Sequence, residues 1–392
     1  MSALTVDGDL IHYEVLGRGR PVILIHDVIG SWRYWVPAMQ HLHVKFRVYA
    51  LDLYGYGDSA KTAARYTLEQ QIALLDAFML QLALPKAALI GHGLGALVAA
   101  EFARLYPERV PRLMVVSAPL FNPGGLARRQ PDRARAMVSP RRPRVAPAQP
   151  ATASLAAPTL PARPTPIQPP RAAPAISNQP SDAASAPTIP NASLAMRKAL
   201  EEAARARRMA AGTAGTAGTA GPPAPSTPAA LEPMPIPAGI TPSSPPPAEA
   251  ANPLLETLAH ESLETLLGRC FRRSEPEFEK LLVDIARADP RAAVGLASAF
   301  DPGLMLDTFQ LLPVPVCLMH GSDDPILAAP DEAVLDYVTR AADQLRLPIL
   351  LPGVRHYPML EDDRFARVAI DFLEAPDISR IELKERWRRR TR

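Results

Sequence analysis

Two patterns of apolar spacing alternate along most of this chain. The first is a short continuous run, as in PVILIH (21–26), FRVYALDL (46–53), RLMVVSA (112–118), PVCLMH (315–320) and PILL within 347–351. Runs of this length and composition suit strands buried on both faces of a parallel sheet. The second pattern has apolar residues three and four apart. In 66–84 these are Leu68, Ile72, Leu75, Phe78, Met79 and Leu82, which predicts a helix with one apolar face. Residues 32–43 predict a helix start packed by Trp32, Trp35 and Met39, and 331–344 and 364–373 predict two more helices. Residues 9–16 alternate loosely and predict an edge or entry strand. Strand and helix follow one another with short loops between them. This is the pattern of a mostly parallel sheet with helices on both faces, joined by right-handed crossovers.

The stretch 87–106, AALIGHGLGALVAAEFARLY, carries the sharpest signal. An apolar run meets a corner, Gly91-His92-Gly93-Leu94-Gly95, and a long amphipathic helix follows. Small residues on both sides of the middle position allow a strand to turn abruptly into a helix, the arrangement that displays a nucleophile at its apex. At the apex stands Gly93, where a Ser, Cys or Asp would be expected.

Two segments break the alternation. Residues 122–251 are Pro/Ala-rich, and more than half of the chain's 45 prolines lie there. Each proline removes a backbone donor and fixes φ, so this density predicts a disordered low-complexity insertion. Residues 252–312 return to globular composition with helical stripes at Leu254, Leu255, Leu258, Leu263, Leu266, Leu267 and Phe271, then Phe278, Leu281, Leu282 and Ile285. They predict an all-helical segment set between two strands. The expected organisation is therefore 1–121 as the first part of the core, 122–251 as the insertion, 252–312 as a helical cap, 313–375 as the second part of the core, and 376–392 as a basic tail.

Composition narrows the function classes. The 392 residues carry a net charge of +3, which gives no global polyelectrolyte signal for nucleic acid. The insertion (Arg128, Arg129, Arg133, Arg135 and others) and the tail KERWRRRTR offer only local positive charge for an acidic partner or a membrane surface. The two cysteines, Cys270 and Cys317, sit in apolar settings and read as buried thiols in a reducing compartment. The N-terminal sequence lacks the basic start and apolar run of a signal peptide, and no apolar run reaches the roughly 18–20 residues of a membrane span, so a cytoplasmic location is expected. Neither cysteine has metal-ligand spacing and no phosphate-binding glycine loop is present, so no metal and no cofactor are expected.

Five motifs in order, PVILIHDVIGS, LDLYGYGDS, GHGLG, HGSDDPI and VRHYPMLED, resemble those of the α/β-hydrolase superfamily over about 9–121 and 252–374. The resemblance implies a capped α/β-hydrolase fold. It implies an oxyanion loop after the first buried strand, with the amides of Val28 and Leu94 as oxyanion donors. It places the triad acid at Asp324 and the base at His356. The chemistry implied is acyl transfer, in which histidine deprotonates a nucleophile and a carboxylate holds the histidine's tautomer.

The sequence departs from that pattern at Gly93, which offers no attacking atom, and at Asp27, where the oxyanion loop usually has glycine. Glycine adopts the strained apex backbone freely, so the corner persists without the nucleophile. A carboxylate at 27 opposes a developing oxyanion if it points inward and is harmless if it points outward. His92 and His26 read as packing residues of the corner and the oxyanion loop. Ser31, Ser59 and Ser117 are the nearest hydroxyls, none on a strand-to-helix corner. The expected function is a nucleophile-less α/β-hydrolase homologue, a pseudoenzyme with a degenerate triad, binding a small apolar molecule in the cap pocket or serving as a scaffold. The alternative is an enzyme whose His356–Asp324 pair acts as general base on substrate or on a water filling the missing side chain's volume.

Overall fold

In the computed structural model, residues 2–133, 252–341 and 345–381 are described. Their centre is strand β3 (Arg20–Ile25), flanked by β4 (Phe46–Leu51) and β5 (Ala88–His92), all three parallel. The sheet continues through β6 (Leu113–Val116), β7 (Val316–Gly321) and β8 (Arg346–Leu351), also parallel. Val22 to Ile25 and Leu113 to Val116 are buried throughout, as apolar runs covered on both faces must be.

The antiparallel end of the sheet adds one strand to the sequence expectation. Residues 9–16 form β2 (Asp9–Gly17), which leads into the parallel strands through β4 and is not itself the edge. The edge is β1 (Ser2–Val6), paired antiparallel with β2. The two are joined by Asp7-Gly8, both at positive φ (49° and 89°), the Asp-Gly turn that fits the twist of a hairpin. The strand order, within the described residues, is β1-β2-β4-β3-β5-β6-β7-β8.

Strand order places the helices. The step β3 to β4 runs one way along the sheet, and β4 to β5, β5 to β6 and β7 to β8 run the other. Right-handed crossovers therefore put α1 (Val36–Leu42) on one face and α2 (Leu68–Gln81) and α3 (Leu94–Leu105) on the opposite one. Contacts agree, since α2 packs on α3, whereas α1 packs on the closing helix (Arg364–Glu374).

Between β6 and β7 the chain forms the expected helices: α4 (Pro253–His260), α5 (Leu263–Cys270), α6 (Pro276–Arg287), α7 (Pro290–Ala297) and α8 (Pro302–Leu311). The stripe 254–271 is two helices rather than one. Glu261 is extended, and the Ser262 side chain accepts from the Thr265 N–H to start α5. After β7 come α9 (Glu332–Thr339), then the short α10 (Pro358–Glu361) and α11 (Arg364–Glu374).

Packed chain also continues past residue 121. Leu126 is buried, and the Arg129 guanidinium donates through Nε (2.9 Å) and Nη2 (2.8 Å) to the two carboxylate oxygens of buried Asp307. The Tyr337 hydroxyl and the Asp132 N–H donate to the same carboxylate, at 2.5 Å and 3.1 Å. Arg129 thus belongs to the fold and faces α8 rather than an external partner. On the far side of the insertion, the Asn252 side-chain amide donates to the carbonyls of Ala297 and Phe300, at 2.9 and 3.1 Å. The rest of the expected insertion, 134–251, and the end of the basic tail, 382–392, lie outside the described residues.

Candidate functional site

The register of the sheet brings the site together. In the β3–β5 pair, Ile25 is level with Gly91. Just past the ends of these strands come Asp27 and Gly93, and the Asp27 carboxyl reaches the place of a Gly93 Cβ. The loops after β7 and β8 open at the same edge, just beyond Gly321 and Leu351, which are also level. They carry Asp324 and His356. All four positions therefore gather beyond the C-terminal ends of parallel strands, where open α/β sheets hold their sites.

Gly93 turns β5 into α3 with φ 54° and ψ −122°. This is the strained left-handed region in which glycine is favoured. The strain expected at the corner is thus present in the backbone.

The carboxylate of Asp27 points inward and fills the place of the missing side chain. A Cβ built on Gly93 would land on the Asp27 carboxyl group, closer than real Cβ contacts allow. Asp27 Oδ1 accepts the Leu94 N–H at 2.8 Å, the amide expected to serve as an oxyanion donor. Asp27 Oδ2 faces His356 Nε2 at 3.2 Å, and His356 Nδ1 faces Asp324 Oδ2 at 2.8 Å. His356 is therefore an imidazole between two carboxylates, with its ring wholly buried. The volume that the alternative reading assigned to a water is occupied by protein.

The electrostatics follow from this sandwich. Burial alone disfavours the charged imidazolium, but the charge and hydrogen bonds of Asp324 and Asp27 outweigh it, and the His356 pKa rises to about 10. Burial likewise disfavours the Asp27 carboxylate. The His356 hydrogen bond and charge, with the Leu94 N–H, outweigh that and bring it down to about 2. The N-terminus of α3 adds a favourable dipole beneath the same group. Asp324 is held well below the ordinary carboxylate range by His356 and His320 despite its burial. Its Oδ1 accepts the Ile326 and Leu327 N–H groups, both at 2.9 Å. At neutral pH the site is carboxylate–imidazolium–carboxylate.

A second layer fixes the two loops that meet there. The Asp27 N–H donates to the Tyr34 hydroxyl (2.7 Å), which stands 3.0 Å from His92 Nδ1. His92 Nε2 donates to the His356 carbonyl at 2.7 Å. One neutral tautomer of His92 satisfies all three contacts, with the hydroxyl donating to Nδ1. Burial, reinforced by the charge of His356, lowers the His92 pKa to about 3, which keeps that tautomer. His92 thus spans from the Asp27 loop to the His356 loop, as a packing residue of the corner should. His26 braces the same loop, with Nδ1 on the Asp27 carbonyl (2.7 Å) and Nε2 accepting the Leu53 N–H (3.0 Å). The Tyr357 hydroxyl donates to the Ile29 carbonyl at 2.6 Å. Sequence reasoning missed Tyr34 and Tyr357. The available signal was the aromatic density of WRYW and the Tyr beside His356.

The three serines do not supply a nucleophile to this site. Ser59 Oγ donates to the Asp52 carbonyl at 2.8 Å and Ser117 Oγ to the His356 carbonyl at 3.1 Å. Ser31 caps the turn at 32–35 by accepting the Arg33 N–H. Burial pushes both cysteine thiols well above their ordinary range, away from a reactive thiolate. Asp27, His92 and His356 offer ligand atoms within 4.8 Å of one another, the arithmetic of a two-histidine, one-carboxylate metal site. Both nitrogens of both histidines already have protein partners, so that donor set fits hydrogen bonding better than a metal.

Beside Asp27 and His356 lies a small cavity of about 30 Å³, lined otherwise by Thr257 and apolar side chains, including Leu254 and Leu258 of α4 and Leu266 of α5. By volume it holds about two waters. No helix among the described residues is long and apolar enough to cross a membrane.

Comparison with known proteins agrees with this architecture. The alpha/beta hydrolase fold family matches residues 20–159. Among curated proteins, bifunctional epoxide hydrolase 2 of Rattus norvegicus is 32% identical over 121 residues, 30% of this chain and 22% of that protein. Epoxide hydrolase 4 of Mus musculus is 36% identical over 112 residues, 28% of this chain and 31% of that protein. The pimeloyl-[acyl-carrier protein] methyl ester esterase of Vibrio campbellii is 35% identical over 112 residues, 28% of this chain and 42% of that protein. The matched part spans less than half the length of each of these relatives. Among solved structures, a putative aryl esterase from Burkholderia cenocepacia superposes with TM-score 0.53 at 16% identity, over 95% of this chain and 97% of that one. An enol-lactonase from Burkholderia xenovorans gives TM-score 0.52 at 14% identity, over 95% and 99%. The chain has the α/β-hydrolase fold.

Proposed function

We propose that this chain is an α/β-hydrolase-fold protein without serine-type acyl transfer, whose strand-end site holds a small, largely apolar ligand. One observation carries the reading: the Asp27 carboxylate occupies both the nucleophile's place above Gly93 and the Leu94 amide that an oxyanion would use. An acyl substrate meets a negative charge where its own negative charge would develop. The His356–Asp324 pair is ionised as a unit with Asp27, so His356 already carries the proton that a general base must accept. This counts against the general-base alternative in the resting state. The relatives' names cover epoxides and methyl esters and do not choose a ligand; the apolar lining and small volume of the cavity do so only by class.

A fluorophosphonate followed by intact mass tests the reading. The expected result is unmodified protein and background turnover of short aryl esters. A stoichiometric adduct, or ester turnover lost in His356→Ala, overturns it.

A further inference from the structure

We propose that the N-terminal end of the parallel strands, opposite the site, is a docking surface for an anionic lipid membrane. Arg18, Arg20, Arg47 and Lys86 would face the headgroups, with Val44 inserted among them. This surface belongs to the packed core and is separate from both the insertion and the basic tail.

Strand register assembles the cations. Arg20 opens β3 level with Phe46, and Arg47 is level with Pro21 of β3 on one side and Gly17 of β2 on the other. Arg18 lies in the turn between β2 and β3. Ala88, which opens β5, is level with Val22, and Lys86 stands two residues before it. Neighbouring strands are about 4.8 Å apart, so the four charges come from strands that together span roughly 15 Å.

These charges are not neutralised within the fold. All four side chains are exposed, and none has an ion pair among the described residues. Glu374, at the end of α11, is taken by Lys45 at 2.5 Å. Arg112 lies nearby, and burial together with the charge of Arg20 lowers its pKa, so cations here face one another. Two of the guanidiniums are also held in place. Arg20 stands over the Phe46 ring and Arg47 over the Tyr49 ring, each 5.4 Å from the centroid. Stacking uses the face of a guanidinium and leaves its in-plane N–H donors for phosphate and carboxylate oxygens.

Val44 selects the occupant. At 74% it is the most exposed large apolar side chain among the described residues, and it sits between His43 and Lys45 in the loop from α1 to β4. That loop packs on the turn that carries Arg18: a Cβ on Gly17 would strike the carbonyls of His43 and Phe46, and one on Gly19 would touch that of Lys45. An apolar tip set among cations gains from entering a headgroup layer and gains nothing from a phosphate backbone in water. A nucleic acid would use free aromatic faces for its bases, whereas Phe46 and Tyr49 have theirs covered by Arg20 and Arg47. The parallel strands run from this end toward Asp27, Asp324 and His356, and the six residues of β3 span about 20 Å. A docked molecule therefore holds its site on the water side, where a ligand arrives from solution.

The test is flotation of the full chain with two kinds of vesicle, phosphatidylcholine alone and equal parts phosphatidylcholine and phosphatidylserine. Binding is expected only to the mixed vesicles and should weaken as salt shortens the screening length. Each cation held at such a surface is worth about fivefold in partitioning, so Arg18→Gln, Arg20→Gln and Arg47→Gln together should lose about a hundredfold. Arg18→Lys, Arg20→Lys and Arg47→Lys together keep the charge and should bind like the parent. Val44→Ser changes no charge and should lose about fivefold. The tail and the insertion are the same in every chain, so these losses read the strand-end surface alone. The proposal is overturned if the mixed vesicles bind no protein, if the glutamine variant binds as tightly as the parent, or if the lysine variant fails as the glutamine one does. Full loss in the glutamine variant with none in Val44→Ser overturns the membrane as occupant, in favour of a nucleic acid or an acidic protein.

Discussion

Asp27 and Gly93 occupy one site between them: the carboxyl group of the first lies where a side chain on the second would begin. Neither substitution is independent of the other. A side chain at 93 and an inward carboxylate at 27 exclude each other.

Restoring a serine therefore requires two changes. Gly93→Ser alone should give no esterase activity and should lose about 2–4 kcal/mol of stability, from the positive φ and the displaced ion pair. The double variant Asp27→Gly with Gly93→Ser removes the obstruction and returns the Leu94 amide to an incoming oxyanion. It should react with a fluorophosphonate where the single variant does not. Equal reactivity of the two would show that Asp27 does not hold the site.

Stability should peak near pH 6.5 and fall on both sides. The folded pKa of His356 is raised from 6.5 to about 10, so its contribution is complete below 6.5 and fades as pH rises toward 10. The folded pKa of His92 is lowered from 6.5 to about 3, so its contribution is complete above 6.5 and fades as pH falls toward 3. Asp27, lowered from 3.8 to about 2, adds a contribution present above 3.8 and lost between 3.8 and 2. Thermal melts across this range check the shape. In Asp27→Asn the alkaline decline should shrink, and histidine NMR titration should show His356 losing its proton at lower pH than in the parent. An unchanged alkaline limb would mean that Asp27 does not sustain the imidazolium.

Arg346 is buried with no carboxylate partner among the described residues, and burial pulls its pKa down to about 10. Its guanidinium donates to the carbonyls of Phe309, Gln310, Leu312, Val314 and Leu345, at 2.7 to 3.4 Å. It thereby satisfies the last carbonyls of α8 and the turn into β7, which lie too deep for water. Arg346→Met keeps the stem volume and leaves those carbonyls unpaired. A loss of about 3 kcal/mol or more in denaturant unfolding is expected. A change under 1 kcal/mol would mean that water reaches them.

The ends of the insertion are pinned to neighbouring parts of the helical segment, Arg129 and Asp132 on Asp307 of α8, and Asn252 on carbonyls at and just beyond the end of α7. Replacing 134–251 with a short Gly/Ser linker should leave the melting temperature unchanged or slightly raised, since closing a shorter loop gains at most about 3 kcal/mol. A cut beginning at 123 instead removes Leu126 and Arg129 and should destabilise. A large loss from the first deletion would show that the insertion supports the fold.

Local pattern carried most of the architecture. Continuous apolar runs, three-to-four spacing and glycine corners are short-range features, and each names its element without reference to the rest of the chain. They account for β3 to β8, the strand–corner–helix at 87–106 and the helices at 253–311. The loops that hold Asp324 and His356 were legible through the resemblance of their motifs to those of α/β-hydrolases. The hairpin of β1 was missed because its signal is only Asp7-Gly8 between two weakly alternating strands.

Position across the sheet was beyond the reach of local pattern. Asp27 and Gly93 are 66 residues apart, and whether a carboxylate points in or out has no signature in its neighbours. The β3–β5 register, Ile25 against Gly91, brings the two strand ends together, and the missing Cβ leaves room for the carboxylate to turn inward. Once there, it shares His356 with Asp324 and changes that residue from a prospective base to an imidazolium. The sequence by itself determined that the apex of the corner is a glycine. Only the tertiary structure decided that the place is filled, because packing across adjacent strands, rather than order along the chain, determines which groups share a buried volume.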